Sequence, residues 1–388
     1  MAQPWELVAR LRPRFAARAA ETDRTGEFPA ADFADLRAAG LFGLFTPSRL
    51  GGLGRDYADY ARVAFELARG NGATALVFNM HASVTGALAG IPDELARSLG
   101  VADEFFSSRD RILADAAAGA FYAVAMSERG AGSRLSQMST RYEAVDGGFH
   151  IKGSKSFVSG SGHADAYLIA ARSSTDDSVV SQFLVPAGTE GLTLEPTWDS
   201  LGMRATCSHD LHVDVDVPTS TLLGGVEGLA LLVAQIMPHW MVASYAAVYV
   251  GVAQSCVDGA VEHCRARGLA SLPAVRARIG RADAAVAAAR LVVAETARRV
   301  AEEPGSEETN RWVWRAKLLA GSTAMDVAAS MLEAAGTSAS RRGHPLERLF
   351  RDARCGSLQP ATSDVCADWL GIATLGGDPD AEAATPRW

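Results

Sequence analysis

The chain has 388 residues, of which 48% are hydrophobic and 21% are charged, and its formal net charge is −8 at pH 7. A chain of this length is expected to fold into two or three domains with a sizeable core. The negative net charge argues against nucleic acids and anionic membranes as partners.

The five cysteines show no C-x-x-C spacing, and the first residues lack the basic-then-apolar pattern of a secretory signal. An odd number of cysteines in that setting predicts reduced thiols and a cytoplasmic protein, and no metal site is expected. The apolar run over residues 229–252 contains Gln235, Pro238 and His239, so it predicts a buried helix rather than a membrane span.

The first 118 residues have the composition and apolar spacing of helices. Helices are predicted over residues 5–20, 29–39, 56–69 and 74–90. An irregular, glycine-rich segment over residues 41–54 separates the second helix from the third. The fourth helix carries His81 in an apolar setting, where a histidine is more often structural but is also a candidate active-site group.

Residues 119–222 contain short apolar or alternating segments punctuated by turn residues, which is typical of an antiparallel sheet or a small barrel. Strands are predicted over residues 121–126, 140–145, 149–153, 166–171, 182–186 and 211–217. The sequence Asp146-Gly147-Gly148 predicts a hairpin turn between the second and third strands.

The rest of the chain is rich in alanine, which favours helix formation and close helix packing. Helices are predicted over residues 228–265, 271–303, 309–335 and from 365 onward. The sequence therefore predicts an α+β protein with a helical domain at residues 1–118, a β-domain at 119–222 and a helical bundle at 223–388.

A glycine-rich loop follows the first predicted strand. Gly130 and Gly132 permit positive φ and close backbone approach, and Ser127 and Ser133 add hydroxyl donors. Such a loop can offer backbone N–H groups to an anion, but glycine and serine also form ordinary connections between strands. The loop alone therefore leaves both interpretations open.

This stretch resembles the flavin-binding β-domain of the acyl-CoA dehydrogenase superfamily. That family has a Thr/Ser-Glu-Pro-x-Ala-Gly-Ser-Asp loop, followed by a Gly-x-Lys-x-(Trp/Phe)-Ile-(Thr/Ser)-Asn strand. The chain matches these motifs at Ser127, Glu128, Ala131, Gly132, Ser133, Gly153, Lys155, Phe157 and Ser159. It departs from them at Arg129 and Arg134, where the family has Pro and Asp.

The resemblance implies an acyl-CoA dehydrogenase-like fold, with a four-helix bundle at its C-terminal end, and FAD as cofactor. The FAD contacts that it implies are Met126, Ser127, Gly132, Ser133, Phe157, Ser159, Arg267, Gly336 and Thr362. Phe157 would lie against the isoalloxazine ring, and Ser159 would bond near its reactive nitrogen. Contacts from a second subunit are sparse, since Glu333 stands where the family has Gln, so FMN or shared reduced flavin remains an alternative.

The family removes the α-proton of an acyl thioester with a carboxylate, in a loop after an Arg-Asp-Ala-Arg segment or on the helix after the β-domain. Those two positions fall at Pro360 and Met241, neither of which can accept a proton. His81 and His239 are then the candidate catalytic bases, and Asp364 is a weaker one. His239 and Val242 also replace an Asp and an Arg that contact coenzyme A in the family.

These departures predict an FAD-dependent dehydrogenase acting on an acyl thioester. The substrate would be an acyl, hydroxyacyl or aminoacyl group on a carrier protein in polyketide or nonribosomal peptide biosynthesis. Electrons would pass to an acceptor protein or to oxygen, and the enzyme would be a homodimer or homotetramer. Three alternatives are a flavin-dependent monooxygenase of the same fold, an ordinary acyl-CoA dehydrogenase with a relocated base, and a non-catalytic scaffold.

Overall fold

The computed structural model describes residues 3–98 and 100–384. Its N-terminal part is helical, as the sequence predicts. The helices are α1 (Pro4–Thr25), α2 (Ala30–Ala38), α3 (Tyr57–Gly70), α4 (Gly72–Gly90), α5 (Asp93–Ser98) and α6 (Asp103–Ala117).

Helices α3 and α4 are separated by one residue, Asn71, and each helix begins at a side-chain cap. The Asp56 carboxylate accepts a hydrogen bond from the Asp59 N–H at 2.9 Å, and the Asn71 side chain accepts one from the Ala73 N–H at 3.1 Å. Such caps satisfy backbone donors that a helix start leaves unpaired. Helix α4 is buried over most of its length, which places it at the centre of the N-terminal helices.

The middle of the chain forms a seven-stranded sheet within the described residues, with the order β1-β4-β2-β3-β7-β6 and β5 beside β4. The strands are β1 (Tyr122–Ala125), β2 (Arg141–Val145), β3 (Gly148–Val158), β4 (Ala166–Ser173), β5 (Val180–Pro186), β6 (Leu192–Glu195) and β7 (His209–Pro218). Most pairs are antiparallel, as expected, while β1 and β2 run parallel to β4. The sequence did not predict β6, whose residues are largely exposed.

Strand β3 carries an irregularity at its C-terminal end. Its register with β7 shifts between Lys155 and Val158, and Phe157 between them has a φ of 58°. The Ser156 N–H donates to the carbonyl of Ser127 at 2.8 Å, which ties this bulge to the glycine-rich loop. A bulge of this kind changes the direction of a side chain near the end of a pair of hydrogen-bonded strands.

Helices return after the sheet. They are α7 (Leu229–Ile236), α8 (Pro238–Met241), α9 (Ser244–Ala266), α10 (Pro273–Glu302), α11 (Glu307–Ala335), α12 (Pro345–Arg354), α13 (Ser363–Thr374) and α14 (Pro379–Glu382). The prediction of one helix over residues 228–265 is wrong, because Pro238 has no N–H to continue the ladder and clashes with the preceding turn. Helix α9 packs against α3 and α11. Among the described residues, no helix has the length and apolar character needed to cross a bilayer.

A cluster of aromatic rings joins the N-terminal helices to the sheet. The ring of Phe121, just before β1, lies 5.0 Å from that of Phe33 and 6.1 Å from that of Phe42. All three side chains are buried. The order of helices, sheet and helices is confirmed. This shared core holds α2 and the segment after it against the start of β1, and α4 also packs against β1.

Candidate active site

A cavity of about 660 Å³ lies between α4, the sheet, α7 and α8, and the segment 355–362. Most of its wall is apolar. Side chains from α4 include Met80 and Val84, and side chains from α7 and α8 include Leu232 and Trp240. A volume of several hundred Å³ is typical of a site for a small molecule or cofactor.

The cavity brings together most of the residues that the sequence assigned to a cofactor. Its wall includes Met126, Ser127, Gly132, Ser133, Phe157, Ser159 and Thr362. Arg267 and Gly336 lie elsewhere, at the C-terminal ends of α9 and α11, and both are exposed. Their assignment as contacts from a second subunit stays a prediction.

The exposure and backbone conformation of Phe157 indicate that the cavity suits a flat aromatic ligand. Its side chain is 60% exposed although it is large and apolar, and its positive φ is strained for a residue other than glycine. Strain of this kind costs about 1–3 kcal/mol and is found mostly at functional sites. Leu201 and Leu358 also line the cavity and are exposed. An isoalloxazine ring would cover such surfaces, so the residues present fit a flavin.

A row of three hydroxyl groups, from Ser159, Ser208 and Thr206, lies along the cavity wall. The Ser159 and Ser208 Oγ atoms are 2.8 Å apart, and Ser208 Oγ lies 2.7 Å from Thr206 Oγ1. Thr206 donates to the carbonyl of Met203 at 2.9 Å. Sequence reasoning missed Thr206 and Ser208 because no local pattern places them beside Ser159, which lies 49 residues from Ser208.

A buried ion pair holds the glycine-rich loop against the sheet. Lys155 Nζ donates to Glu128 Oε1 at 2.8 Å, and both side chains are buried. The same carboxylate accepts hydrogen bonds from the backbone N–H groups of Ser139 and Thr140. Burial opposes the charge on Glu128, but Lys155 and these donors outweigh it and lower its pKa to about 2.

His81 lies outside the cavity wall. Its Nδ1 accepts from the Tyr122 N–H at 3.2 Å, and its Nε2 donates to the carbonyl of Phe42 at 2.8 Å. Burial lowers the pKa of His81 to about 4. Because both ring nitrogens are engaged with backbone, the imidazole joins α4 to the first strand and to the segment before α3.

His239 is also buried outside the wall, where it packs against the ring of Tyr57 at a centroid distance of 4.9 Å. Its Nδ1 has no hydrogen-bond partner among the described residues. Burial lowers the pKa of His239 to about 3, so its ring is neutral at pH 7. Asp364, the weaker candidate, is an exposed residue in the first turn of α13.

In the described part of the chain, the cavity wall contains no Asp, Glu, His or Lys. Arg134 is the one charged side chain that it includes there, and this residue cannot accept a proton. Burial raises the pKa of Tyr245 and of Cys355, which also line the cavity, to about 12. Both groups stay protonated at neutral pH, so the described residues of the wall include no ionisable proton acceptor.

Three family models match the sequence. The N-terminal domain of acyl-CoA dehydrogenase matches residues 8–92, the middle domain residues 123–215, and the C-terminal domain residues 243–362. Together these matches cover more than half of the chain in the order that the fold presents. The chain belongs to the acyl-CoA dehydrogenase family.

Relatives in the acyl-CoA dehydrogenase family differ in their named activities. L-evernosamine nitrososynthase of a Micromonospora species is 29% identical over 98% of this chain and 92% of that protein. The putative acyl-CoA dehydrogenase YdbM of Bacillus subtilis is 29% identical over 92% of this chain and 93% of that protein. The X-ray structure of KijD3 with FMN and an amino-keto-sugar nucleotide is similar with a TM-score of 0.83 at 27% identity, over 98% of this chain and 96% of that one.

The two positions that usually carry the base in the acyl-CoA dehydrogenase family both face the cavity. Pro360 and Met241 line it from opposite segments, on the loop before α13 and at the end of α8. Neither Pro360 nor Met241 has a side chain that can accept a proton, and their match to the family's base positions stays a prediction. Val242, at a position of the family's coenzyme A contacts, is buried in the protein.

Proposed function

We propose that this acyl-CoA dehydrogenase family member is a flavin-dependent monooxygenase. The observation that carries the proposal is the cavity wall, which has no Asp, Glu, His or Lys among the described residues. Dehydrogenation of an acyl thioester needs a positioned base for the α-proton, whereas oxygen transfer does not. In this proposal the monooxygenase ranks before the dehydrogenase, which the sequence analysis placed first.

In the balanced reaction, reduced flavin and one molecule of oxygen are consumed, one oxygen atom enters the substrate, the other leaves as water, and the flavin is oxidised. The chain's own residues would hold the ring against Phe157 and exclude water with the apolar wall. The nitrososynthase and the FMN complex of KijD3 among its relatives support this proposal.

The substrate class follows from the missing base. A phenol must lose its proton to become strongly nucleophilic, and no described residue of the wall can take it. A thioether sulfur or an aryl amine nitrogen already has a free lone pair at neutral pH, whereas an alkylammonium group would first have to lose a proton. We therefore propose an uncharged, largely apolar substrate that is oxidised at nitrogen or sulfur.

The flavin is proposed to be FMN or FAD, supplied in reduced form and bound without a covalent link. FAD would also need Arg267 and Gly336 from a second subunit, which requires a homodimer or homotetramer. FMN lacks the adenosine part and needs neither residue, and it accompanies KijD3. The cavity-facing residues are the same for both flavins.

A dehydrogenase acting on a carrier-bound acyl thioester is the second candidate. The apolar face of α7 favours it, because Leu229, Leu232 and Val233 line the cavity and suit an acyl chain. A carrier protein would explain the loss of the family's coenzyme A contacts at His239 and Val242. This candidate ranks second because it requires a proton acceptor, and none is present among the described residues of the wall.

The test compares the two reactions on one preparation. Protein loaded with oxidised flavin is mixed anaerobically with acyl-CoA and acyl-carrier-protein thioesters, and flavin absorbance is followed. The same protein is then given a flavin reductase, NADH, oxygen and a panel of thioethers and aryl amines. We expect no bleaching by any thioester and an oxygenated product from the panel. Bleaching by a thioester would overturn the proposal.

A further inference from the structure

We propose that Tyr245 determines substrate specificity, because its hydroxyl donates a hydrogen bond to a neutral acceptor on the substrate. The substrate would then be an apolar thioether or aryl amine that also carries one uncharged acceptor, such as a carbonyl oxygen. This inference rests on the proposed function for the atom that is oxidised. The hydrogen bond itself belongs to binding and can be measured without turnover.

The hydroxyl of Tyr245 has no partner in the protein. Tyr245 lies in the first turn of α9 and lines the cavity, and its hydroxyl forms no hydrogen bond with any described residue. By comparison, the Tyr142 hydroxyl donates to Glu227 at 2.6 Å. Polar groups that are removed from bulk water are normally hydrogen-bonded. An unpaired hydroxyl on a mostly apolar wall therefore marks a place for a polar atom of a ligand.

The next tyrosine along α9 is bonded within the protein. Tyr249 follows Tyr245 by four residues, so the two side chains lie on one face of the helix. The Gln359 side-chain amide donates to the Tyr249 hydroxyl at 3.2 Å, and the Tyr249 ring packs against Gly356. Tyr249 thus joins α9 to the segment 355–362, whereas the hydroxyl of Tyr245 remains available to a molecule in the cavity.

The residue before Tyr245 fixes the start of α9. The Ser244 hydroxyl donates to the carbonyl of Trp240 at 3.0 Å, and the Ser244 carbonyl accepts from the Tyr60 hydroxyl at 3.2 Å. Tyr60 belongs to α3 and Trp240 to α8, so three helices meet at this point. A donor that is held in position before the ligand arrives loses little conformational freedom on binding, which favours affinity.

The protonation state of Tyr245 decides which kind of ligand atom it binds. Because burial raises the pKa of Tyr245 to about 12, the hydroxyl keeps its hydrogen at neutral pH and can donate it. A neutral acceptor suits this place better than a carboxylate. Burying an anion against one neutral donor in apolar surroundings costs more free energy than the hydrogen bond contributes.

The test uses pairs of ligands that differ only in the acceptor. The ortho, meta and para isomers of (methylthio)acetophenone carry a carbonyl oxygen, and the matching isopropenyl thioanisoles have a CH₂ group in its place. Their dissociation constants are measured by equilibrium ultrafiltration with protein saturated with oxidised FMN, without a reductant. Wild-type protein should bind at least one ketone about threefold to tenfold more tightly than its alkene partner, which is the effect of one neutral hydrogen bond.

Tyr245→Phe removes only the hydroxyl and should abolish this preference. Its thermal stability should be equal to that of wild-type protein or higher, because the hydroxyl bonds to no described residue. Tyr57→Phe is the matched control. Tyr57 is buried, packs against the ring of Trp240 at a centroid distance of 5.0 Å and also has no hydrogen-bond partner among the described residues, but it lies outside the cavity wall. This variant should keep the wild-type preference.

The inference would be overturned if wild-type protein preferred no ketone, if Tyr245→Phe kept the preference, or if Tyr57→Phe lost it. Weaker FMN binding by Tyr245→Phe in the absence of ligand would also overturn it, since the hydroxyl would then serve the flavin. If the preference depended on Tyr245 but reduced FMN and oxygen gave no oxygenated product, only the proposed function would fail. If the thioethers were oxygenated without any such preference, only the inference would fail.

Discussion

At the scale of single residues, the sequence predicted some residues of the cavity wall and missed others. Ser127, Gly132, Ser133 and Phe157 belong to two local motifs, and the structure brings them to one wall. Thr206 joins that wall from a different segment, without a motif of its own. Local patterns can mark residues on a shared loop, whereas the meeting of distant segments depends on how the whole chain packs.

The buried imidazole of His239 gives a prediction with a definite sign. Its folded-state pKa of about 3 lies below the value of roughly 6.5 for an unfolded chain. Protonation therefore favours unfolding: the stability contributed by the neutral ring is complete above about pH 6.5 and is lost as the pH falls towards 3. In His239→Leu the free energy of unfolding should therefore fall less steeply below pH 6.5, with a slope that is smaller by up to about 1.4 kcal/mol per pH unit.

The measurement for His239→Leu is urea unfolding at pH 8 and at pH 5, together with turnover at pH 8. We expect turnover close to that of wild-type protein, because His239 lies outside the cavity wall. Loss of turnover in a folded variant would instead identify His239 as a catalytic group and favour the dehydrogenase. His81→Asn is a useful comparison, since it should cost stability at both pH values by removing bonds to Phe42 and Tyr122.

At the scale of elements, helical and strand periodicity predicted most segments, and one error has a clear cause. Apolar residues continue through 228–265 with helical spacing, so periodicity alone indicates a single helix. Pro238 begins α8 and separates it from α7, and a second break at Val242 separates α8 from α9. The break matters because it lets Trp240 and Met241 reach the cavity from α8. Strand β6 was missed for the opposite reason, since its exposed residues carry little apolar pattern.

The contact between the glycine-rich loop and β3 yields a prediction about the ion pair of Glu128 and Lys155. Lys155→Met leaves the Glu128 carboxylate buried without its cation, which should cost about 3–5 kcal/mol of unfolding free energy. It should also weaken flavin binding, because the loop carries Ser127 and Ser133. Urea unfolding and flavin titration measure the two effects.

Lys152 supplies a matched control on the same strand. It also forms an ion pair, with Asp214 at 2.7 Å, but both side chains are exposed. Lys152→Met should therefore change the free energy of unfolding little, because solvent screens the exposed pair, and should leave flavin binding unchanged. Adding Glu128→Gln to Lys155→Met should recover part of the lost stability, since it removes the unpaired charge. Equal effects of the two lysine variants would contradict the role given to the buried pair.

At the scale of the whole molecule, the order of helices, sheet and helices followed from the sequence because each part has its own periodicity. The cavity did not, since its wall combines segments around residues 80, 130, 206, 240 and 360. Its most informative property is the lack of a proton acceptor among the described lining residues. The sequence suggested this at Pro360 and Met241, but only the packing excludes His81 and His239 from the wall.

The most direct test of the monooxygenase proposal is the reaction of the protein-bound reduced flavin with oxygen. Protein saturated with reduced FMN is mixed with oxygenated buffer in a stopped-flow spectrometer, and full spectra are recorded. We predict a transient spectrum that belongs to neither the reduced nor the oxidised flavin and that decays faster when an oxidisable thioether or aryl amine is present. A single-step return to oxidised flavin at the rate of free flavin, with hydrogen peroxide formed in equal amount and no oxygenated product, would contradict the account.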